Sequence, residues 1–549
     1  MSAPQEAPAH HQGAAEVIAE AAEVQAAQVA AVHAPAAVVD NLSTILKHKA
    51  MKRIFLIITI LAPFFALAQT ESDMLDFSTV YYQGTAKSAA MGNAMGAVGN
   101  DFSAIAINPA GLGLFRKSTF TISPDFNVTS VNSKYQETNG FDRAFRLQNN
   151  NLGLTWTQEI NDGGLSSVSF ALGINKLNNF TFDSYVKGDN PHTSLVDAYF
   201  SEMSENNVTS ENDLLSDDGH WANTLYPLLY TGVFGIYDGT DEVYYYTDVP
   251  QGGINQQYGV SKRGTAKEFS FSAGFNFNEK FFFGASFDIP YFDRNITTEY
   301  KEKNLSADVF KNWSQTEYIK NSGFGVNAKI GAIVYPTKWL RLGAAFHTPS
   351  LYRVTESWYT ETFSSFTDGN YSYQSPTGTY DYSIITPLRL NASAAFIFGN
   401  FGMITGDYEY VDYSMMRASS HDFDFTEFND YLHELYKASS NLRFGTEWRW
   451  QTLAFRAGYA FYGSPFGINR NEYRTDSYSC GIGYTYHRFT LDAAYVFSKR
   501  QNSYQLYEQY SEYPAYYENQ NGDWVVDDTK VKETTNINQV VVSFKFRLD

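Results

Sequence analysis

Charged side chains that could bind an anion recur at alternate positions in the second half of the chain. Projection of the predicted strands places them on the inward side. They are Lys329, Arg341, Arg389, Asp407, Glu409, Arg443, Glu447, Arg449, Arg456, Lys545 and Arg547. The guanidinium group of an unpaired arginine matches a planar carboxylate through two hydrogen bonds. Arg389 and Arg443 are therefore candidate residues for binding an acidic ligand. The alternative is that arginines and acidic residues pair with one another and anchor an internal plug.

No arrangement of residues predicts catalysis. The sequence has no nucleophile elbow, no His/Cys or His/Glu spacing of a metal site, and no phosphate-binding loop beyond isolated glycines. Its one cysteine, Cys480, excludes an intrachain disulfide and a cysteine-based metal site. Haemin binding is a weak option, because no His/Tyr pair can be placed as axial ligands. We expect a protein that is not an enzyme and that uses no metal or cofactor.

The overall charge limits the partners. The formal net charge is −19 and the pI is about 5.0. A nucleic-acid surface needs a basic patch or tract, and the sequence shows none. We therefore expect no nucleic-acid partner.

Residues 51–68 predict a secretory signal peptide. Lys52 and Arg53 precede an apolar run at 54–65, and small residues follow before Gln69. Because a signal peptide works at the N-terminus of a chain, residues 1–50 are an extension of doubtful reality. Translation from Met51 is favoured, and a true extension is the alternative. The mature protein is expected to leave the cytoplasm.

The stretch 115–549 predicts about fourteen β-strands. Apolar residues alternate with small or polar ones in row after row, for example at Phe170, Leu172 and Ile174, and a last row ends at Leu548. The row opposite the apolar one holds Gly, Ser, Asn and paired charges, which suits a wet lumen. We expect an all-β fold, a transmembrane antiparallel β-barrel. A soluble sandwich or propeller is the alternative.

The connections between these strands alternate in length. Short ones are predicted at residues 161–164, 278–280, 336–338, 399–400, 450–451 and 487–488. Short periplasmic turns that alternate with long extracellular loops are typical of an outer-membrane barrel. An even number of strands places both ends of the barrel on the periplasmic side.

Residues 69–114 predict a plug for the lumen. A barrel of fourteen strands is wide enough to leak unless its interior is filled. Glycine and alanine dominate this segment, so its backbone could pack closely in a confined space. Gly92, Gly96 and Gly99 lie in it, and so does the turn Asn108-Pro109-Ala110.

These residues resemble the FadL/TodX family of outer-membrane transporters for long-chain fatty acids and other hydrophobic compounds. The motif runs from Ser88 through Val98-Gly99-Asn100-Asp101 to Asn108-Pro109-Ala110-Gly111-Leu112, and it is similar to the N-terminal hatch of that family. Supporting matches lie at 323–325, 329–331, 341–343, 346–350 and 407–413. The resemblance extends over most of the chain after Gln69.

The resemblance implies a fourteen-stranded barrel, an N-terminal hatch, and a kinked third strand that opens a lateral exit into the membrane. The alternation of the third strand falters at residues 176–180, where two asparagines also weaken its β-propensity. We place the kink at Asn178, Asn179 and Phe180. A plain β-bulge is the alternative.

The largest extracellular insertion is predicted at residues 190–266. Trp221, Leu225, Leu228 and Leu229 form an apolar cluster there, which is unusual for a merely solvated loop. The cluster is a candidate landing site for a hydrophobic ligand. Packing of the loop on itself is the alternative.

The resemblance implies passive uptake of long-chain fatty acids or other hydrophobic small molecules across the outer membrane of a Gram-negative bacterium. The implied partners are a hydrophobic ligand, outer-membrane lipid and the barrel-assembly machinery, and a monomer is favoured. The alternative function is that of a FadL-like barrel acting as a secretion-system or surface protein-binding partner.

Overall fold

The computed structural model describes residues 71–216, 221–238, 243–306, 309–466, 473–507, 516–518, 524–526 and 529–548. The predicted extension at 1–50 and the predicted signal peptide at 51–68 lie outside these residues. Within the described ranges, no helix is both long enough and apolar enough to cross a membrane.

The described residues form fourteen antiparallel barrel strands, as the alternation predicted. Four of them are interrupted and are given as consecutive segments of one strand. The strands are β1 Thr119–Tyr135, β2 Thr138–Asp162, β3 Leu165–Asn179 with Phe182–Asn190, β4 Ile254–Phe277, β5 Phe281–Asn304, β6 Phe310–Thr337, β7 Leu340–His347 with Leu351–Phe366, β8 Asn370–Gln374 with Gly378–Ile385 and Arg389–Phe398, β9 Gly402–Asp412 with Arg417–Ser419, β10 Ala438–Trp450, β11 Leu453–Tyr462, β12 Thr475–Tyr486, β13 Phe489–Gln505 and β14 Lys530–Arg547.

The barrel is closed by pairing of its first and last strands. β1 pairs with β2 on one side and with β14 on the other, where the register runs from Thr119 opposite Arg547 to Lys134 opposite Lys532. The predicted short connections are confirmed as tight turns. Asn278 and Gln451 adopt left-handed backbone angles in two of these turns, with φ of 52° and 54°.

The outward faces of the strands carry the apolar rows. Phe170 is 51% exposed and Phe324 is 62% exposed, which would be unfavourable in water but suits a lipid-facing surface. Large aromatic residues gather where the short turns lie, at Phe281, Trp339, Phe401, Trp450, Tyr486 and Phe489. Such a girdle is typical of a membrane interface. The fold is a transmembrane barrel of the outer-membrane type.

Residues 71–114, here called the hatch, pack against the inward faces of the strands. Their elements are α1 Glu71–Ser78, α2 Ala86–Ala90, α3 Ala104–Ile107 and a 3₁₀-helix at Pro109–Leu114. Ala86, Met91, Met95 and Leu112 have at most 1% of their surface exposed. The barrel therefore holds a plug that shares small apolar clusters with the wall.

The extracellular insertion after β3 contains α4 Leu195–Glu205, α5 Glu211–Ser216, a π-helical turn at Trp221–Leu225, α6 Tyr226–Tyr230 and a hairpin of Gly235–Asp238 with Val243–Tyr246. It occupies residues 191–253 rather than 190–266. β4 begins at Ile254 and pairs with β5 along its whole length. Ile254, Tyr258 and Val260 are the only large apolar residues in 254–266, so alternation gave only a weak sign that they form a strand.

Two other loops carry secondary structure. Helix α7 Thr426–Leu435 lies between β9 and β10, and a short hairpin of Tyr516–Glu518 with Trp524–Val526 lies between β13 and β14. Several strands have 24 residues or more. A strand needs only about ten residues to cross a bilayer, so these strands extend beyond the membrane and support the loops.

Candidate functional site

The hatch docks where the barrel wall presents glycine. A Cβ atom added at Gly331 would lie 2.0 Å from the Oδ1 atom of Asn108, and one added at Gly284 would lie 2.2 Å from the carbonyl oxygen of Pro109. A Cβ atom at Gly343 would lie 2.5 Å from the carbonyl oxygen of Gly96. Sequence alternation assigned these inward glycines to a wet lumen. In the structure they allow the backbone of the hatch to touch β5 and β7, and the side chain of Asn108 to touch β6.

The Asn108-Pro109-Ala110 turn holds two parts of the hatch together and fixes them to the wall. The Nδ2 atom of Asn108 donates to the carbonyl oxygens of Gly96 at 2.8 Å and Ala332 at 3.3 Å. Its Oδ1 atom accepts the N–H of Ala110 at 3.1 Å. Pro109 begins the 3₁₀-helix, where a missing N–H costs nothing. One buried amide therefore satisfies three backbone groups.

Two hatch glycines adopt backbone angles that favour glycine. Gly92 has a φ of +61° and Gly99 has a φ of +60°. A Cβ atom at Gly92 would also lie 2.8 Å from the carbonyl oxygen of Tyr459 in β11. The turn at Gly92 therefore needs glycine both for its backbone angle and for its approach to the wall.

Arg389 and Arg443 meet at a single buried carboxylate. The Oε1 atom of Glu409 lies 3.3 Å from Arg389 and the Oε2 atom lies 3.4 Å from Arg443. The hydroxyl of Tyr82, in the hatch, donates to the same carboxylate at 3.0 Å. Arg389 also donates to the carbonyl oxygen of Ser78. This geometry matches the alternative in which the charges pair and anchor the plug.

Two further groups of inward charges follow the same pattern. Lys329 contacts Glu268 and lies 3.4 Å from Asp288, while Arg456 lies 2.6 Å from both Glu447 and Asp492. These ion pairs join β4 to β6 and β10 to β13. A buried charge needs such a partner because it has lost its hydration.

The third strand carries a bulge and a break at the predicted position. Lys176 pairs with Lys267 and Asn178 pairs with Ala266, so Leu177 is an extra residue that reverses which parity faces inward. The strand is then interrupted at Phe180 and Thr181. The structure thus has the bulge that was the alternative, and an interruption that includes Phe180 of the three predicted kink residues, while Asn178 and Asn179 remain in the strand.

The backbone ladder between β2 and β3 stops next to this bulge. The last pair described is Asn151 with Asn175, although both strands continue. The neighbouring residue Asn150 is itself a bulge in the pairing of β2 with β1. Above this point β3 pairs with β4, and the N–H of Tyr185 is satisfied by the side chain of Asp142 at 2.8 Å.

The hatch is hydrogen-bonded to the interrupted strand. The N–H of Tyr81 donates to the carbonyl oxygen of Leu177 at 2.9 Å. The side-chain amide of Asn178 donates to the carbonyl oxygens of Asp76 at 3.3 Å and Thr79 at 3.4 Å. The ring of Phe180 meets that of Phe77 edge-on at 6.3 Å. Asn179 instead stabilises the break locally, because its Oδ1 atom accepts the N–H of Thr181.

An arginine that sequence reasoning missed joins α1 to the wall. Arg294 in β5 has no exposed surface, and it lies 2.7 Å from Asp73 and 3.1 Å from Asp76. Its guanidinium group also lies 4.4 Å from the ring centre of Phe77. Lys262 contacts Asp76 from β4 at 3.2 Å. Arg294 lies beyond the last outward apolar residue of β5, so the alternation of apolar and polar residues did not predict its inward position.

These cations determine the acidity of Asp76. Its enclosed position raises the pKa of the Asp76 carboxyl, but Lys262 and Arg294 together outweigh that effect. The net result is a pKa below the ordinary value of 3.8. Asp76 is therefore ionised at neutral pH and remains so into the acid range.

Two cavities lie between the hatch and the wall. One, of about 530 Å³, is lined by apolar residues that include Phe77, Val80 and Leu177 and by the charged residues Glu268 and Lys329. The other, of about 790 Å³ and partly open to solvent, lies between the hatch and β11 to β14, β1 and the break in β3. Both volumes include space that is open to solvent.

The predicted landing cluster lies inside the insertion. Leu225 and Leu228 have no exposed surface and pack with residues of the strand extensions, including Trp313. Leu229 is partly buried against the same cluster, and the indole N–H of Trp221 donates to Glu202 at 3.0 Å. The arrangement matches the alternative in which the loop packs on itself.

The closed barrel, its internal hatch and its interrupted third strand define a plugged outer-membrane barrel. Comparison of folds gives a Pseudomonas aeruginosa FadL homologue with a TM-score of 0.52 and 12% identity, covering 86% of this chain and 100% of that one. The Pseudomonas putida toluene transporter TodX has a TM-score of 0.48, 12% identity and coverage of 86% and 99%. The Ralstonia pickettii toluene transporter TbuX has a TM-score of 0.44, 15% identity and coverage of 85% and 98%.

The similarity to the FadL homologue confirms the fold that the hatch motif predicted. No family model matches the sequence. No curated protein matches it either.

Proposed function

We propose that the protein is a passive uptake channel for hydrophobic small molecules, long-chain fatty acids among them, in the outer membrane of a Gram-negative bacterium. The substrate enters from outside, reaches a cavity beside the hatch, and leaves sideways between β2 and β3. The observation that carries this proposal is that the hatch is hydrogen-bonded to the strand at which the ladder between β2 and β3 stops.

Membrane physics supports a lateral opening at this place. Unpaired backbone groups are costly in lipid, so a barrel strand normally pairs with both neighbours throughout the membrane. Beyond the last pair, β2 still presents Phe141, Phe145 and Leu147 outward, each at least 58% exposed. The interrupted ladder therefore faces an apolar surface, and an opening there leads into lipid rather than into water.

Contacts of the hatch with β3 regulate the lateral opening. Tyr81 and Asn178 bind the hatch to the bulged strand, so a shift of the hatch and an opening of the gap are coupled through shared hydrogen bonds. Burial of an apolar ligand is favourable by roughly 25 cal/mol per Å² of its surface. Capture therefore needs no energy source, and release needs only a change in the shape of the cavity.

Deleting the extra residue of the bulge tests the lateral exit. Removal of Leu177 restores a continuous register between β3 and β4 and keeps the same side chains facing inward. We expect saturable uptake of labelled oleate and toluene into liposomes to fall at least about tenfold for the deletion. Leu177→Ala, which keeps the bulge and the carbonyl group that binds Tyr81, is the matched control and should retain uptake.

The folded state of each variant is checked by its heat-dependent migration in gels. Unchanged uptake in a folded deletion variant would refute the lateral exit. If the folded natural chain moves neither compound, the secretion-system or surface protein-binding role becomes the better hypothesis.

A further inference from the structure

The larger cavity differs in chemistry from a site for a hydrocarbon. Among the described residues that line it, most carry a hydroxyl or amide group, such as Asn127, Thr129, Ser477 and Gln539. Three tyrosines, at 81, 82 and 462, add aromatic rings. None of these lining residues is acidic, and one of them, Arg500 in β13, is basic. The cavity therefore has positive charge and many hydrogen-bonding groups.

Arg500 makes its close contacts with neutral groups, and its charge acts at longer range on Asp76, whose pKa it helps to lower. Its Nε atom donates to the hydroxyl of Thr475 at 3.1 Å, and its guanidinium carbon lies 4.9 Å from the ring centre of Tyr81. It forms no ion pair with any residue in the part of the chain that the structure describes. Among the described residues, neither terminal nitrogen of Arg500 has a hydrogen-bond acceptor, and Arg500 lines the cavity.

The nearby hatch carboxylates are occupied elsewhere. Asp73 is bound by Arg294, and Asp76 is bound by Arg294 and Lys262. In the same barrel, Arg389, Arg443 and Arg456 each contact a buried carboxylate. Arg341 likewise has no carboxylate partner among the described residues and donates to the carbonyl oxygen of Val98. A half-buried guanidinium group of this kind is suited to an anion that arrives from solution.

A second observation points into the same cavity. Thr181, in the break of β3, is 4% exposed and lines the cavity, and its hydroxyl has no hydrogen-bond partner in the structure. A buried polar group without a partner is costly unless a ligand or water satisfies it. The unused hydroxyl and the unused guanidinium nitrogens belong to the same cavity, so a single ligand with two polar groups could satisfy both.

We propose that this cavity binds a small aromatic carboxylate that carries a further hydrogen-bonding substituent. The carboxylate accepts two hydrogen bonds from the terminal nitrogens of Arg500, and the ring lies among the tyrosines. The substituent bonds to the hydroxyl and amide groups, Thr181 among them. That this ligand is also a transported substrate rests on the proposed function, because the cavity borders the break in β3.

The experiment measures binding by calorimetry to the purified full barrel in an uncharged detergent. The probes are 4-hydroxybenzoate and its neutral analogue 4-hydroxybenzamide. We expect the natural chain to bind the acid at least about tenfold more tightly than the amide, because charge-assisted bidentate hydrogen bonds are the stronger ones. Arg500→Gln should abolish this preference, and Arg500→Lys should restore part of it.

Arg474→Gln is the matched control, because Arg474 is exposed and paired with Asp476, two residues further along the chain. It should leave both affinities unchanged. Thr181→Val should weaken binding of both probes and thus locate the site even if the Arg500 variants fold poorly. Equal affinity of the natural chain for acid and amide, or a preference that survives in folded Arg500→Gln, would overturn the proposal.

Binding in detergent requires no transport, so the two proposals fail separately. Binding of 4-hydroxybenzoate without uptake of oleate or toluene into liposomes would refute the proposed channel and leave the proposed binding site intact. Flux of oleate or toluene without binding of 4-hydroxybenzoate would refute the site and leave the channel intact.

Discussion

Arg294 and Asp73 lie 2.7 Å apart in the interior of the barrel, where Arg294 has no exposed surface. The arginine belongs to the wall and the aspartate to the first helix of the hatch. The same guanidinium group reaches Asp76 and covers the ring of Phe77. One wall residue therefore holds three residues of α1 by charge and by packing.

Replacing Arg294 should release α1. Arg294→Gln leaves the buried carboxylate of Asp73 without its cation, whereas Asp76 keeps Lys262. Breaking a buried pair in this way costs about 3–5 kcal/mol. We expect a higher ion conductance in planar bilayers, since α1 no longer holds the hatch against β5. Arg353→Gln changes an exposed residue of β7 and serves as the control. Equal conductance of both variants and the natural chain would show that α1 is held by other contacts.

The attachment of α1 should weaken in acid. The pKa of Asp76 in the folded chain is lower than its ordinary value of 3.8. Its contribution to stability is therefore complete above about pH 4 and is lost as the pH falls through the lowered pKa. Conductance should rise over that acid range. Asp76→Asn should already conduct more at pH 7 and should lack this acid-dependent component; an identical pH profile would contradict the assignment.

Glycine at position 331 should be required for docking of the hatch. Gly331→Ala places a Cβ atom 2.0 Å from the Oδ1 atom of Asn108, so the Asn108 turn must move. Overpacking of this kind costs about 1–3 kcal/mol, and we expect a lower midpoint of unfolding in guanidinium chloride. Gly259→Ala is the control, because its Cβ atom would lie 3.6 Å from the nearest atom. The prediction fails if both variants unfold at the same denaturant concentration.

Glu409 should be the most sensitive member of the inward charges. Glu409→Gln leaves Arg389 and Arg443 buried without their shared carboxylate and weakens the hydrogen bond from Tyr82. We expect a loss of about 3–5 kcal/mol in the free energy of unfolding. Glu361→Gln, at an exposed position of β7, should change it little. A small effect at Glu409 would mean that other groups, such as Asp407 at 4.0 Å from Arg443, compensate the two arginines.

The alternation of apolar residues was sufficient to predict the barrel, its number of strands and its short turns. The reason is that lipid contacts only one face of each strand, so the outward parity must be apolar wherever the strand lies in the membrane. The rows that contain Phe170 and Phe324 show this pattern, because both side chains are exposed on the outward face. The Asn108-Pro109-Ala110 turn could also be predicted from the sequence, because a turn depends on local backbone geometry.

Only the tertiary structure decided which inward groups meet. Parity places Arg389, Arg443 and Glu409 on the inside, but their shared contact depends on the register between strands and on the position of the hatch. Above the last outward apolar residues of a strand, the alternation of apolar and polar residues becomes weak. β4 was therefore expected to begin too late, and Arg294 and Arg500 were missed. The bulge at Leu177 changes the parity again. Such features depend on long-range pairing, which no local pattern of residues encodes.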